Sequence, residues 1–305
     1  MSFYELNGGA RGAFGSYDTY AQKQTPYLHW LAVFVLVLTI SVGGVTAKTL
    51  GTVEQASIVL PAVVSSAPQT TSDVPLVAAA VDRSPELRTA LEAWQANQKG
   101  SEWAFYVHSL DDDQLKVGVN DDKPFGLASI YKLFLLKPLA QKIPAEAWAN
   151  TNITERTYQA CVTAMLSVSD NPCAEAIASK LGWSAIHRQN RADGYKSTVF
   201  NRSDTLVGSA ADTGLLLDRL YNSDGYDAKT QEIALEAMGR TKRTEAVRGA
   251  CQGCTVQNKT GDFNGVRHDA AVVQKDGKNY VVVIFSKGAQ WKQLSEAAKI
   301  IVPYL

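Results

Sequence analysis

A serine and a lysine three residues apart stand at the head of an apolar run, Ala128-Ser129-Ile130-Tyr131-Lys132-Leu133-Phe134-Leu135-Leu136. In a helix, residues three apart share a face, so the Ser129 hydroxyl and the Lys132 amine can meet within the first turn. A serine hydroxyl is a weak nucleophile until a base takes its proton, and a desolvated lysine with a lowered pKa can be that base. The free N–H groups at a helix start can also hold the oxyanion that forms when a carbonyl is attacked. The chemistry implied is acyl transfer. Ser-x-x-Lys alone also occurs on solvated helices, so other residues must complete the site.

Two further motifs lie downstream. Ser169-Asp170-Asn171 falls between two expected helices, and Lys259-Thr260-Gly261 falls on an expected strand. The three together, in this order, resemble the penicillin-recognising serine hydrolases, namely class A β-lactamases and penicillin-binding proteins. The resemblance runs from about Arg83 to Leu305. It implies that Ser129 is the acylated nucleophile and Lys132 its proton acceptor. Ser169 matches the serine that returns a proton to the leaving amine, and Asn171 the residue that orients the substrate amide. Lys259 would supply positive charge for that shuttle and the substrate carboxylate, and Thr260 would bind substrate. The N–H groups of Ser129 and Asp262 would form the oxyanion hole, and Gly261 would let its strand approach the substrate closely. No cofactor is implied.

The chain also departs from the class A pattern. The intervals between the motifs are shorter, so the helical lobe is trimmed, and no Glu stands where class A enzymes place the glutamate that activates water on an Ω-shaped loop. Thr198-Val199-Phe200-Asn201-Arg202-Ser203-Asp204 resembles the start of that loop, with Asp204 in the glutamate's place. Its side chain is a methylene shorter, and proton transfer needs heavy atoms within about 2.6 to 3.2 Å or one bridging water. The alternative is an ordinary loop or capping aspartate. Arg267 and His268, after the glycine turn, are candidates for reading a substrate carboxylate, against the alternative of a solvated strand end.

The elements that must position these groups follow from periodicity. SPELRTALEAWQANQ reads as a Ser-capped amphipathic helix, and WAFYVHSL and QLKVGVN as a hairpin about Asp111-Asp112-Asp113. Residues 144 to 250 read as helices and loops, without strong strands. TVQNKTG, HDAAVVQ and YVVVIFS are short strands, the last two joined by Lys275-Asp276-Gly277-Lys278, and WKQLSEAAKIIVPYL is a closing amphipathic helix. The pattern predicts an α+β fold: an antiparallel sheet built from both ends of the domain plus a trimmed all-helical lobe, preceded by one transmembrane helix.

That preface begins with a polar, Gly/Tyr/Ser-rich tail at residues 1–26, expected to be disordered and cytoplasmic. From Tyr27 to Ala47 no charged residue occurs, a length that suits one membrane crossing. Arg11 and Lys23 precede it and Lys48 follows closely, which favours an inside N-terminus and a catalytic domain outside the cytoplasm. The rival is a signal sequence cleaved near Ala47, after which the protein would be secreted. Residues 48–82, rich in Pro, Ser, Ala and Thr, read as a tether spanning about 30 to 35 Å, and residues 83–305 as the catalytic domain.

Composition narrows the partners. The chain has 305 residues, 46% of them hydrophobic, with 30 positive and 30 negative side chains. It can bury a full core, and it lacks the basic patch expected of a nucleic-acid binder. His29, His108, His187 and His268 are scattered without ligand spacing, so no metal is expected. Cys161, Cys173, Cys251 and Cys254 make an even count that suits disulfides in an exported domain. Three pairings are open; the favoured one joins Cys251 to Cys254 and Cys161 to Cys173, because the latter two flank the helix-turn-helix around Ser169. A monomer is expected.

The function read from these residues is a β-lactamase-type serine hydrolase, acylated at Ser129 by β-lactams or peptidoglycan-derived peptides. The alternatives are a D,D-peptidase or transpeptidase on stem peptides with slow deacylation, and a non-catalytic cell-envelope binding module. A nucleophile kept beside a base speaks against the last.

Overall fold

The computed structural model describes residues 82–305 apart from 113, 203 and 204. The tail, the apolar segment 27–47, the tether up to residue 81 and Asp204 lie outside the described residues. Among the described residues no helix is long and apolar enough to cross a membrane.

In chain order the elements are α1 (Ser84–Ala96), β1 (Glu102–Ser109), β2 (Lys116–Val119), β3 (Phe125–Gly126), a 3-10 helix (Ala128–Leu135) and α2 (Leu136–Lys142). A short 3-10 turn at Ala145–Ala147 leads to α3 (Tyr158–Ser167), α4 (Asn171–Leu181) and α5 (Trp183–Ala192). Then come β4 (Val199–Arg202), β5 (Thr205–Gly208), α6 (Ala210–Tyr221), α7 (Ala228–Gly239) and α8 (Val247–Ala250). The chain closes with β6 (Thr255–Phe263), β7 (Val266–Lys275), β8 (Lys278–Lys287), α9 (Trp291–Ile301) and a final 3-10 turn, Val302–Tyr304.

The main sheet is antiparallel in the order β2-β1-β8-β7-β6, so the first and last strands of the domain interleave as expected. Side chains alternate across it. Val281, Val283 and Phe285 of β8 face the helical lobe with Tyr106 and Ala270. Val282 and Ile284 face α1 and α9, packing with Leu87, Leu91, Leu294 and Ala298. Cover on both faces explains why β8 reads as an unbroken apolar run rather than an alternating one. Asn264-Gly265 and Asp276-Gly277, with φ of 49°, 80°, 51° and 79°, make the two-residue turns that join β6 to β7 and β7 to β8.

Two local expectations change. Ser84 is the first residue inside α1 rather than its cap; Arg83 stands at the N-cap, with no capping side-chain bond. The stretch 144–250 is not free of strands, because β4 and β5 form a hairpin whose β5 pairs with β3, giving a second sheet in the order β3-β5-β4. Both strands are four residues long, too short for periodicity to separate them from a loop. The segment read as the start of an Ω-shaped loop is therefore this hairpin, with β4 ending at Arg202 and β5 starting at Thr205 on either side of Asp204.

Candidate active site

The run carrying Ser129 opens as a 3-10 helix and passes into an α-helix only at Leu136. With three residues per turn, side chains at i and i+3 eclipse, which stacks Lys132 directly over Ser129. Lys132 Nζ lies 3.1 Å from Ser129 Oγ. It also donates to the Ser169 carbonyl at 2.7 Å and to Asn171 Oδ1 at 2.6 Å. These three acceptors use all three directions of an ammonium group. A neutral amine has only two N–H donors; held by Ser169 and Asn171, it would aim its lone pair at the Ser129 hydroxyl. Burial pushes the Lys132 pKa down to about 8, with Asp170 and Glu175 opposing the shift from a distance.

Ser169 and Asn171 reach this point because the chain turns sharply between α3 and α4. Ser169 has φ of 59°, in the left-handed region, and Ala128, just before the nucleophile, has φ of 46°. Each such residue costs about 1 kcal/mol or more, strain of a kind that collects at functional sites. Asp170 caps α4 by accepting from the Cys173 N–H at 2.9 Å, which fixes Asn171 at the first position of the helix. The Cys161–Cys173 disulfide ties α3 to α4 around this turn, and Cys251–Cys254 forms the second bridge, as the favoured pairing has it.

From the other side comes β6, the edge strand of the main sheet. Lys259 Nζ donates to the Ser169 hydroxyl and, at 2.6 Å, to the Thr260 carbonyl. Burial pushes the Lys259 pKa down to about 7; the charge of Lys132 lowers it further, and Asp269 opposes. A Cβ on Gly261 would stand 3.0 Å from the Leu127 carbonyl oxygen and 3.2 Å from Ala128 Cβ, so the strand touches the chain entering the 3-10 helix only because this residue is glycine.

Backbone polarity follows from the hairpin. In a two-residue β-hairpin the flanking pair, here Phe263 and Val266, exchanges both hydrogen bonds. Alternation from that pair points the N–H groups of Asp262 and Thr260 away from β7, off the free edge. In the 3-10 helix the first backbone bond runs from Ile130 N–H to the Leu127 carbonyl, so the Ser129 N–H precedes the ladder. Both N–H groups thus lie outside their own ladders, on two elements that touch at Gly261.

The structure therefore brings Ser129, Lys132, Ser169, Asn171 and Lys259 into one hydrogen-bonded cluster, with Thr260, Gly261 and Asp262 on the adjoining strand. The carboxylate-reading candidates behave differently. His268 is wholly buried, its Nδ1 accepting from the Ser286 N–H at 3.2 Å and its Nε2 facing the Gly126 carbonyl at 2.7 Å. Burial holds its pKa down to about 4, so it is neutral and no cation. Arg267 is not a free cation at a solvated strand end: its guanidinium donates to the Ala289 carbonyl at 2.5 Å and lies 3.6 Å from Asp262 Oδ2. Among the described residues no group of three or more His, Cys, Asp or Glu could hold a metal.

A family profile described as the beta-lactamase enzyme family matches residues 86–152 and 148–302. The chain belongs to the beta-lactamase enzyme family. It is a serine hydrolase by that membership. No curated protein matches the sequence. Among solved structures the domain resembles PBP-A, at TM-score 0.64 and 20% identity over 72% of this chain and 95% of that one. It also resembles a Leu-to-Glu mutant of PBP-A in an acyl-enzyme complex with penicillin G, at TM-score 0.65 and 19% identity over 73% and 98% of the two chains. A class A beta-lactamase from Mycobacterium abscessus matches at TM-score 0.64 and 19% identity, covering 72% of this chain and 98% of that one. These likenesses establish the α+β fold with its antiparallel sheet and helical lobe.

Sequence reasoning does not find Asp269 and Trp291. Asp269 is buried behind β6, accepting from Asn258 Nδ2 at 2.8 Å and from the Val247 N–H at 3.1 Å, and burial pushes its pKa up to about 6. Trp291 donates to Asp262 Oδ2 at 2.8 Å. Both act through contacts between segments distant in sequence, and no local pattern marks them.

Proposed function

We propose that the domain is acylated at Ser129 by β-lactams and chemically related peptidoglycan peptides, and that it hydrolyses the acyl-enzyme. The observation that carries this reading is the desolvated Lys132 amine 3.1 Å from the Ser129 hydroxyl. In its neutral form Lys132 takes the Ser129 proton as Oγ attacks the carbonyl. The N–H groups of Ser129 and Asp262 receive the oxyanion. Ser169 passes a proton to the departing amine, and Lys259, bonded to that hydroxyl, supplies charge for the transfer and for the substrate carboxylate, which the Thr260 hydroxyl also binds. Asn171 orients the substrate amide.

Release of the acyl group needs an activated water, and Asp204 is our proposed base for it. A second reading is favoured by one observation: the β4–β5 hairpin occupies the segment expected to form the class A loop. A D,D-peptidase or transpeptidase that sheds a β-lactam slowly would fit that replacement. The test is intact-mass spectrometry of the full chain mixed with penicillin G, beside an Asp204→Asn variant. An adduct that clears in the wild type and persists in the variant supports hydrolysis through Asp204. An adduct that persists in both favours the peptidase, and no adduct with any acyl donor sinks the assignment of Ser129.

We further infer that residues 27–47 anchor the chain with the domain outside the cytoplasm, residues 1–26 inside and residues 48–82 as tether. Two disulfides support an oxidising compartment. Protease protection of the domain in intact cells, with digestion after lysis, would overturn this placement.

A further inference from the structure

In the acyl-transfer reading the residue that gives the second oxyanion N–H is an aspartate, Asp262, and a carboxylate beside a forming oxyanion works against the reaction. The Asp262 side chain is 39% exposed, so water weakens this repulsion without removing it. The side chain of Asp262 is, however, drawn away. Its Oδ2 accepts from Trp291 Nε1 at 2.8 Å and lies 3.6 Å from Arg267 Nε. Trp291 is the first residue of α9, on the sheet face opposite the helical lobe. Its ring is in turn covered by the Arg243 guanidinium, 4.2 Å from the ring centroid, and Arg267 is tied to the carbonyl of Ala289, just before α9. One carboxylate oxygen is thus held by an indole and faced by a cation, each anchored on the α9 side. By strand alternation Asp262 points away from the face that carries Lys259 and Gly261.

We propose that Trp291 is a positioning residue for the oxyanion donor: by holding the Asp262 carboxylate on the α9 side, it keeps that charge off the reacting carbonyl and fixes the backbone N–H of Asp262 toward it. The inference rests on the acyl-transfer reading of Ser129 and adds a residue 162 positions away by sequence numbers to its machinery. Arg267 acts in the same device, neutralising Asp262 rather than reading the substrate.

The experiment measures the acylation rate constant and the apparent dissociation constant separately, using the full chain and penicillin G. Wild type is compared with Trp291→Phe, Asp262→Asn and the double variant, each checked by thermal melting. Trp291→Phe is expected to slow acylation about tenfold with little change in binding, since losing an oxyanion donor outright costs about a hundredfold or more. In the double variant, where no carboxylate remains to be released, the rate is expected to return to within about threefold of wild type. A rate unchanged in Trp291→Phe overturns the proposal, and so does a loss that Asp262→Asn fails to rescue, which would mark a packing defect. The Trp291 indole N–H resonance is expected to shift in Asp262→Asn; a resonance that stays in place shows that the bond does not form in solution and overturns it equally. If the wild type itself is not acylated, the reading of Ser129 fails, and this proposal with it.

Discussion

Lys132 and Lys259 hold opposite ends of one residue: Lys132 donates to the Ser169 carbonyl, Lys259 to its hydroxyl. Two buried amines at one residue cannot both carry a full charge cheaply, and burial lowers the pKa of each. The charge of Lys132 lowers Lys259 further, so the two amines titrate as a coupled pair across Ser169.

This fixes the direction of the pH dependence. In the proposed reading attack requires the free amine of Lys132, so the acylation rate constant is expected to rise with pH through a midpoint near 8 and to level off only above it, a property of the coupled pair rather than of one lysine. Lys132→Ala is expected to lower that constant by about 10² to 10⁴, the usual worth of a general base, while non-covalent binding survives. Stopped-flow acylation of both proteins, followed from below to above the level-off point, checks the two expectations. A flat profile would remove Lys132 from the base role.

Gly261→Ala places a methyl 3.0 Å from the Leu127 carbonyl oxygen and 3.2 Å from Ala128 Cβ. The edge strand must retreat from the 3-10 helix. Because a shift of about 1 Å can cost about a hundredfold in a positioned reaction, acylation is expected to fall far more than thermal stability. Equal losses in the two measurements would mean that the glycine serves folding alone.

His268 predicts a stability change below neutrality. Its pKa is near 4 when folded against an ordinary value of 6.5, so the unfolded chain takes up a proton that the folded state refuses. Stability from this residue is therefore lost as pH falls from 6.5 towards 4. Asp269, raised from 3.8 to about 6, acts in the opposite sense over nearly the same window, so the two partly cancel in the wild type. Comparison with His268→Gln isolates the histidine. The stability advantage of the wild type, read from denaturant unfolding, is expected to shrink by on the order of 3 kcal/mol over that interval, and a constant gap would contradict a neutral buried imidazole.

Removing the bridge at the Ser169 turn tests what the disulfide contributes. Cys161→Ala with Cys173→Ala opens a link of sequence separation 12, expected to cost about 2 to 3 kcal/mol by loop entropy. Acylation is expected to weaken as well, because the bridge spans the turn that presents Ser169 and Asn171. An unchanged acylation rate with a lowered melting point would confine the bridge to stability.

The parts of the site visible in the sequence are those whose geometry is local. Ser129 and Lys132 are one 3-10 turn apart, Asn171 follows its own helix cap, and Gly261 follows Lys259 along one strand. The partners of Arg267, Asp262 and the Ala289 carbonyl, are brought to it by a hairpin and by the approach to α9, which no local pattern shows. The β4–β5 hairpin leaves no periodic trace because its strands are four residues each and its pairing partner, β3, lies more than seventy residues earlier. Trp291 carries no signal at all until the closing helix is laid across the sheet.

The interleaving of β1 and β8 also sets an order of assembly. Ser129, Lys132 and Ser169 are made early in synthesis, whereas Lys259, the Asp262 N–H and the strand that separates β1 from β7 come from the last fifty or so residues. Until β6, β7 and β8 have paired, Ser129 and Lys132 stand without Lys259 and without the five-stranded sheet. Pairing strands from opposite ends is slow, because the loop between them must close before any contact rewards it. Lys259 and the Asp262 N–H therefore take their places beside Ser129 only once strands from the two ends of the domain have paired.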